Sequence, residues 1–428
     1  MDAVPANVAF NAQVKALVDG ERFDFVAWEA RAIADKLGWS LSGTRQHPSD
    51  AEEALVVEYS SQARRIRELE SEIERAYTTA EGEALNEATL SLATELDELK
   101  RRQVEDQGLV ETILERQITE ILNAQGFGAW GWAWPPVEFR FTPLPLYLVI
   151  SPRQEIVLRK GVCLQGDLSL DQREAIEAEI DEALDVSSLI VGLGGLAAYP
   201  TMVLETASLD FVVKTAAHEW VHNYLFFKPL GQCYWEMPEL RTVNEMVASI
   251  VGDEIGEMVI ERYYPRYALS ERQTKVEGQA EGFDFNREMR RIRRRVDRLL
   301  AEGNVERAEE YMEERRRFLA SHGYYIRKLN QAYFALYGSY ATHPTSIDPV
   351  VEEVRELRRG SASLKEFVDK AAGITSYQDL QQAVGDNTGH VGLRDAKPSV
   401  LSVFWPLREM GVGDTPFCPN IGNFTGSC

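Results

Sequence analysis

Histidine is scarce in this chain of 428 residues: there are six, His47, His218, His222, His322, His343 and His390. Two of them stand four apart, and with so few such a pairing is improbable as an accident. Basic residues are outnumbered, 46 Lys and Arg against 68 Asp and Glu, for a net charge of −22. So acidic a balance argues against a nucleic-acid partner and favours solubility. No apolar run of about 18 residues occurs, so nothing in the sequence reads as a membrane span. No signal peptide is visible. Only four cysteines are present. Cys418 and Cys428 bracket a turn-rich tail that can close as a disulfide outside the cytosol, and Cys163 and Cys233 read as free buried thiols.

What is present is concentrated in His218-Glu219-Trp220-Val221-His222. Histidines four apart on a helix project from one face, one turn apart. A tetrahedral zinc ion can take both imidazoles, and Glu219 is then placed to accept a proton from a metal-bound water. The flanks, Phe211 to Ala217 and Asn223 to Phe227, are almost wholly apolar. That pattern reads as a buried helix, in which two histidines and a glutamate need partners.

A catalytic zinc site usually takes three protein ligands and keeps one open position. Glu245 lies 23 positions after His222, set among small and apolar residues in Arg241 to Glu254. The spacing leaves room for one helix to end near Lys228 to Gly231 and a second to return antiparallel, carrying a single inward carboxylate. Glu236 and Glu239 are rival ligands in a Pro-containing loop. Here the chain resembles the gluzincin zinc peptidases over roughly residues 189 to 256. Their third ligand is a glutamate in an Asn-Glu motif on the following helix, which here is Asn244-Glu245. The resemblance implies one zinc per chain, held by His218, His222 and Glu245. Where the thermolysin-like branch has a supporting aspartate one turn on, this chain has Ser249. Asn244 and Asp253, or Glu254, are the candidates to orient an imidazole.

The segment Leu189 to Pro200 is rich in glycine and small residues, which permit close backbone approach. In gluzincins the edge strand before the metal helix pairs with an extended peptide. The resemblance implies that role for Gly195, Ala197, Ala198 and Tyr199, by strand addition. An oxyanion donor is expected from Arg327 to Pro344. The candidates are Tyr340, Tyr337 and His343, in a stretch similar to one in predicted bacterial aminopeptidase-like gluzincins. No Gly-x-Met-Glu-Asn motif is present, which leaves endopeptidase and aminopeptidase both open.

The expected fold is mainly α (α+β): a zincin-like catalytic domain with a small mixed sheet, behind a helical N-terminal domain and elaborated with helical hairpins. The expected divisions are residues 1–128, 129–400 and a tail at 401–428. Phe10, Val14, Leu17 and Val18 make a helical stripe. Residues 51 to about 122 read as a charged two-helix hairpin, a solvated arm. Three tryptophans within Trp130 to Trp134 require a core or a partner. Residues 137–141 and 146–158 alternate as strands. Ser169, Ser363 and Ser376 look like helix caps. Residues 286–321 form a second hairpin turning near Gly303-Asn304. Its arginine runs, 290–295 and 315–317, alternate with Glu-rich stretches such as 306–314 and read as ion-paired faces of the hairpin, not as a phosphate-binding patch.

The reaction expected is zinc-dependent hydrolysis of a peptide substrate with Glu219 as general base. The alternative is a zinc-bearing scaffold that no longer cleaves, with His343 the obvious fourth ligand of a closed site. No nucleic-acid partner is expected. Relatives of this layout often carry an N-terminal membrane segment. The location is then membrane-tethered or extracytoplasmic if a leader has been removed, and otherwise cytoplasmic.

Overall fold

The computed structural model describes residues 6–41, 49–79, 83–129, 132–234, 237–269, 283–337, 349–388 and 412–413. The chain is mainly helical with small mixed sheets. The helices are α1 Ala6–Val18, α2 Phe25–Leu41, α3 Ser49–Thr79, α4 Glu83–Ala124, α5 Leu170–Leu184, α6 Leu209–Leu225, α7 Pro229–Gln232, α8 Pro238–Tyr263, α9 Phe285–Ala301, α10 Val305–Ser321, α11 Gln331–Tyr337, α12 Pro349–Arg359, α13 Leu364–Ala372 and α14 Tyr377–Thr388. The strands are β1 Gly128–Ala129, β2 Trp132–Ala133, β3 Phe139–Thr142, β4 Leu146–Pro152, β5 Lys160–Leu164, β6 Val186–Leu193, β7 Gly195–Leu196, β8 Thr201–Leu204 and β9 Val412–Gly413. No helix among the described residues is long and apolar enough to cross a membrane.

The larger sheet has the order β5-β4-β6-β9, antiparallel except for β9, which runs parallel to β6. Both of its faces are covered, which is why Leu146 to Ile150 is a continuous apolar run rather than an alternating one. Leu146, Leu148 and Ile150 pack with Phe10, Val14 and Val18 of α1 and Ile180 of α5. Tyr147 and Val149 face the other way, into a core with Met289 and Val296 of α9, Met312 of α10 and Phe334 of α11. α5 begins as its sequence indicates. The Ser169 side chain accepts from the Gln172 amide, and the Gln172 side chain accepts from the Ser169 amide. Ser363 caps α13: its side chain accepts from the Glu366 amide, and the Glu366 side chain accepts from the Ala362 amide.

The second sheet, β3-β8-β7, positions the site. β3 runs parallel to β8, and β7 antiparallel to it, so β3 and β7 are the two edges. The β3 edge is closed by side chains of α4. Glu115 Oε1 accepts from the Phe139 amide and Glu111 Oε1 from the Phe141 amide, each at 2.8 Å. Lys36 pairs with both carboxylates. Burial of Glu115 outweighs the lowering effect of Lys36 and pushes its carboxyl up to about 8.

Several expectations change. The α3–α4 hairpin is not a solvated arm. Val56, Tyr59, Val110, Leu114, Ile118 and Leu122 lie in one core with the helices α6 and α8. Packing therefore runs across residue 128: the apolar stripe of α4 packs on α6 and α8 as well as on α3. Cys163 and Cys233 are not free thiols: both are disulfide-bonded. Cys418 and Cys428, with Trp130, lie outside the described residues. Trp132 and Trp134 are exposed, and the Trp134 ring lies 6.4 Å from that of Phe227. The α9–α10 hairpin turns as expected, with Gly303 at φ +74. Its arginines are only partly ion-paired. Arg291 and Arg315 share Glu288, Arg293 holds Asp297, and Arg316 and Arg317 share Glu313. Among the described residues no ion pair forms at Arg287, Arg290, Arg294, Arg295 or Arg298.

Ile118 is fully buried. Ile118→Ala is expected to cost about 2–5 kcal/mol of stability in urea unfolding, the range for a core truncation. A change within about 0.5 kcal/mol would return the hairpin to a solvated arm.

Candidate metal centre

α6 is nucleated by Ser208, whose side chain accepts from the Phe211 amide. From Leu209 onward the helix is buried on nearly every side, so its polar residues are answered by protein rather than by water. α8 starts with Pro238 at its first position, where a missing amide hydrogen costs nothing. It runs antiparallel to α6: Asn244 meets His222, Gly252 meets His218 and Gly256 meets Lys214. The two glycines set the distance between the helices. A Cβ on Gly252 would lie 2.9 Å from the Lys214 carbonyl oxygen and 3.0 Å from His218 Cβ. One on Gly256 would lie 2.4 Å from Lys214 Cγ.

This close approach brings His218, His222 and Glu245 together, all buried. The two Nε2 atoms are 3.1 Å apart. Glu245 Oε2 is 3.6 Å from His218 Nε2 and 3.5 Å from His222 Nε2. Three ligands on a tetrahedral ion, at about 2.1 Å each, are spaced about 3.4 Å from one another. The three separations lie around that value before any adjustment. Glu245 Oε2 is buried, makes no hydrogen bond and faces both imidazoles. An orphaned buried carboxylate oxygen is costly, and a cation held there would satisfy it. The residues present therefore fit a metal ion.

The surrounding groups orient the ligands. Asn244 Oδ1 lies 2.8 Å from His222 Nδ1, so that nitrogen donates and Nε2 is turned to the metal position. The Tyr234 hydroxyl donates to Glu245 Oε1 at 2.5 Å. It occupies one carboxylate oxygen and leaves Oε2 for the ion. Sequence reasoning found Asn244 and missed Tyr234, which sits between the two helices with no spacing rule to mark it. Tyr147, opposite Cys163 in the larger sheet, also lies within the field of Glu245. Burial raises its phenol, and the Glu245 carboxylate raises it further.

Glu219 is fully buried. Its Oε1 lies beneath the edge strand β7, 3.3 Å from where a Cβ of Gly195 would be. The same Cβ would lie 2.3 Å from Thr215 Cγ2, so only glycine lets β7 rest on α6 at this point. The strand itself is shorter than expected, Gly195–Leu196. Ala197, Ala198 and Tyr199 lie beyond it. The Ala198 carbonyl accepts from Asn223 Nδ2, and the Tyr199 amide donates to Glu29 Oε1, each at 3.3 Å. Polar side chains therefore hold the Ala198 carbonyl and the Tyr199 amide, and the paired edge strand is Gly195–Leu196.

The remaining candidates are dispersed. Asp253 lies 3.5 Å from Lys214 Nζ, and its charge acts on His218 without a hydrogen bond between them. Glu254 forms a two-pronged pair with Arg358 of α12 at 2.7 and 2.8 Å. Glu239 is half-buried in the first turn of α8. Tyr337 is buried in the core of the larger sheet, its ring 4.5 Å from Tyr333. Tyr340, His343 and Glu236 lie outside the described residues. No protein-family model matches the chain, and neither the curated proteins nor the solved structures give a match.

Burial lowers the pKa of His222, but the adjacent Glu245 carboxylate outweighs it and raises the imidazole to about 9 in the metal-free chain. Burial raises Glu245, and the two imidazoles outweigh that, lowering it to about 2. The raised histidine stabilises the metal-free fold fully below its ordinary 6.5, and that contribution is lost as pH rises through about 9. The lowered carboxyl contributes above its ordinary 4.5, and this is lost as pH falls towards about 2. A metal ion held there would take the place of the His222 proton. Metal uptake at pH 7 is expected to release about one proton per ion, read by calorimetry in buffers of different protonation enthalpy. A heat independent of buffer would contradict this.

Proposed function

We propose that the chain is a zinc-dependent hydrolase of peptide bonds, with His218, His222 and Glu245 as metal ligands and Glu219 as general base. The observation that carries the reading is convergence. A carboxylate that is not a ligand lies on the metal helix, next to the first histidine, with one oxygen against the backbone of a sheet edge. Two neutral imidazoles and one carboxylate are the ligand chemistry that zinc takes in hydrolytic sites. A zinc ion held there supplies Lewis acidity and makes a bound water acidic near neutral pH.

The rest falls to residues of the chain. Backbone groups of Gly195 and Leu196 hold an extended peptide by strand addition, which is indifferent to side-chain identity. The β3 edge is taken by Glu111 and Glu115, leaving β7 as the edge that serves. Glu219 accepts a proton from the attacking water and delivers it to the leaving amine. Tyr234 and Asn244 keep the ligands aimed throughout. In the resemblance to gluzincins an oxyanion donor is expected from Tyr340 or His343, which lie outside the described residues.

A second reading is a metal-bearing scaffold that binds partners without cleaving them. The burial of all three ligands favours it, since a closed site needs no access. Glu219→Gln separates the two. Under the hydrolase reading the variant keeps its metal and loses about 10²–10⁴-fold in peptide turnover, the usual worth of a general base. Peptide turnover equal to that of the unaltered protein would eliminate Glu219 as the base.

A further inference from the structure

α9 has two opposite faces. Phe285, Met289, Ile292, Val296, Leu299 and Leu300 are buried. At 100° per residue, Arg287, Arg290, Arg291, Arg294, Arg295 and Arg298 fall within an arc of about 140° on the other side, along about 16 Å of helix. Their guanidinium groups and the Tyr311 ring line one open concavity. Among the described residues, Arg291 alone of the six is ion-paired, at 2.7 Å to Glu288. In a chain of net charge −22, the other five meet no carboxylate among the described residues although acidic residues abound. A merely solvated helix in so acidic a protein would be expected to mix the two signs, as α10 does with Glu313, Arg316 and Arg317.

We propose that this stripe docks the protein on an anionic lipid bilayer surface, guanidinium to phosphate and carboxylate headgroup. Two features select that partner. The stripe interleaves no aromatic ladder on which single-stranded bases would stack, Tyr311 being the one ring beside it. The face has no apolar anchor of the sort that holds a peptide in a groove, whereas fluid headgroups can rearrange to meet six guanidiniums at whatever spacing they have. Attraction to anionic lipid is additive over basic residues near the surface and decays within a Debye length. The acidic remainder of the chain therefore opposes it weakly.

The test is co-sedimentation of the full chain with phosphatidylcholine vesicles, with and without about one-third phosphatidylserine. The stripe variant carries Arg287→Gln, Arg290→Gln, Arg294→Gln and Arg298→Gln. A charge-matched control carries Lys15→Gln, Arg22→Gln, Arg101→Gln and Arg266→Gln, all at exposed positions. Circular dichroism establishes that both are folded. Expected at about 50 mM salt is binding to the anionic vesicles alone, weakened roughly tenfold or more in the stripe variant and retained in the control. Equal loss in both variants, undiminished binding by the stripe variant, or no binding to anionic vesicles would overturn the proposal. Retention of an oligoglutamate peptide in place of vesicles would overturn it too, and would assign the face to an acidic protein partner.

Discussion

The close antiparallel contact between α6 and α8 is the constraint on which the site depends. Gly252 and Gly256 let the second helix lie against the backbone of the first at Lys214 and His218. At that distance a carboxylate from α8 reaches between two imidazoles from α6. Any larger residue at Gly252 would push against a helix backbone, which cannot move aside as a side chain can. The remainder of the core serves this contact. α4 backs both helices with its apolar stripe, and Arg358 ties α12 to Glu254, between the two glycines of α8.

The site is organised by dividing the work of each polar group. Glu245 gives Oε1 to the Tyr234 hydroxyl and keeps Oε2 for the ion; His222 gives Nδ1 to Asn244 and keeps Nε2. Glu245 and His222 are thus each held by one atom and available through another, which makes these buried polar side chains tolerable in an apolar interior. The carboxylates of α4 apply the same logic to the sheet. By closing the β3 edge, Glu111 and Glu115 make the two edges chemically different.

The buried His218, His222 and Glu245 group was legible because helical periodicity is a local rule. His218 and His222 one turn apart, and an isolated carboxylate in an apolar helix, need only the pitch of an α-helix to be read. Caps were legible for the same reason, as at Ser169 and Ser363. What was not legible depends on tertiary contact. Tyr234 belongs to the centre only because α7 and its flanking turns return it to Glu245. The end of the edge strand at Leu196 is set by Asn223 and Glu29, one of them 170 positions away. The α3–α4 hairpin looked like an arm because its upper half is charged and exposed. Its lower half is core, and charge patterning along one helix does not say what lies against it. The arginines of α9 differ in the opposite sense: Glu288 and Asp297 pair with Arg291 and Arg293, and Glu309 and Glu313 of α10 pair with Arg153, Arg316 and Arg317 instead of with the outer arginines of α9.

The most direct test is metal content, measured by mass spectrometry on purified protein beside Glu245→Ala and Tyr234→Phe. The account requires about one zinc per chain in the unaltered protein. It requires sharp loss in Glu245→Ala, and affinity weakened about 10–100-fold in Tyr234→Phe, the usual effect of removing a group that orients a ligand. No metal in the unaltered protein after incubation with zinc would contradict the central claim. Full metal in Glu245→Ala would remove Glu245 from the ligand set.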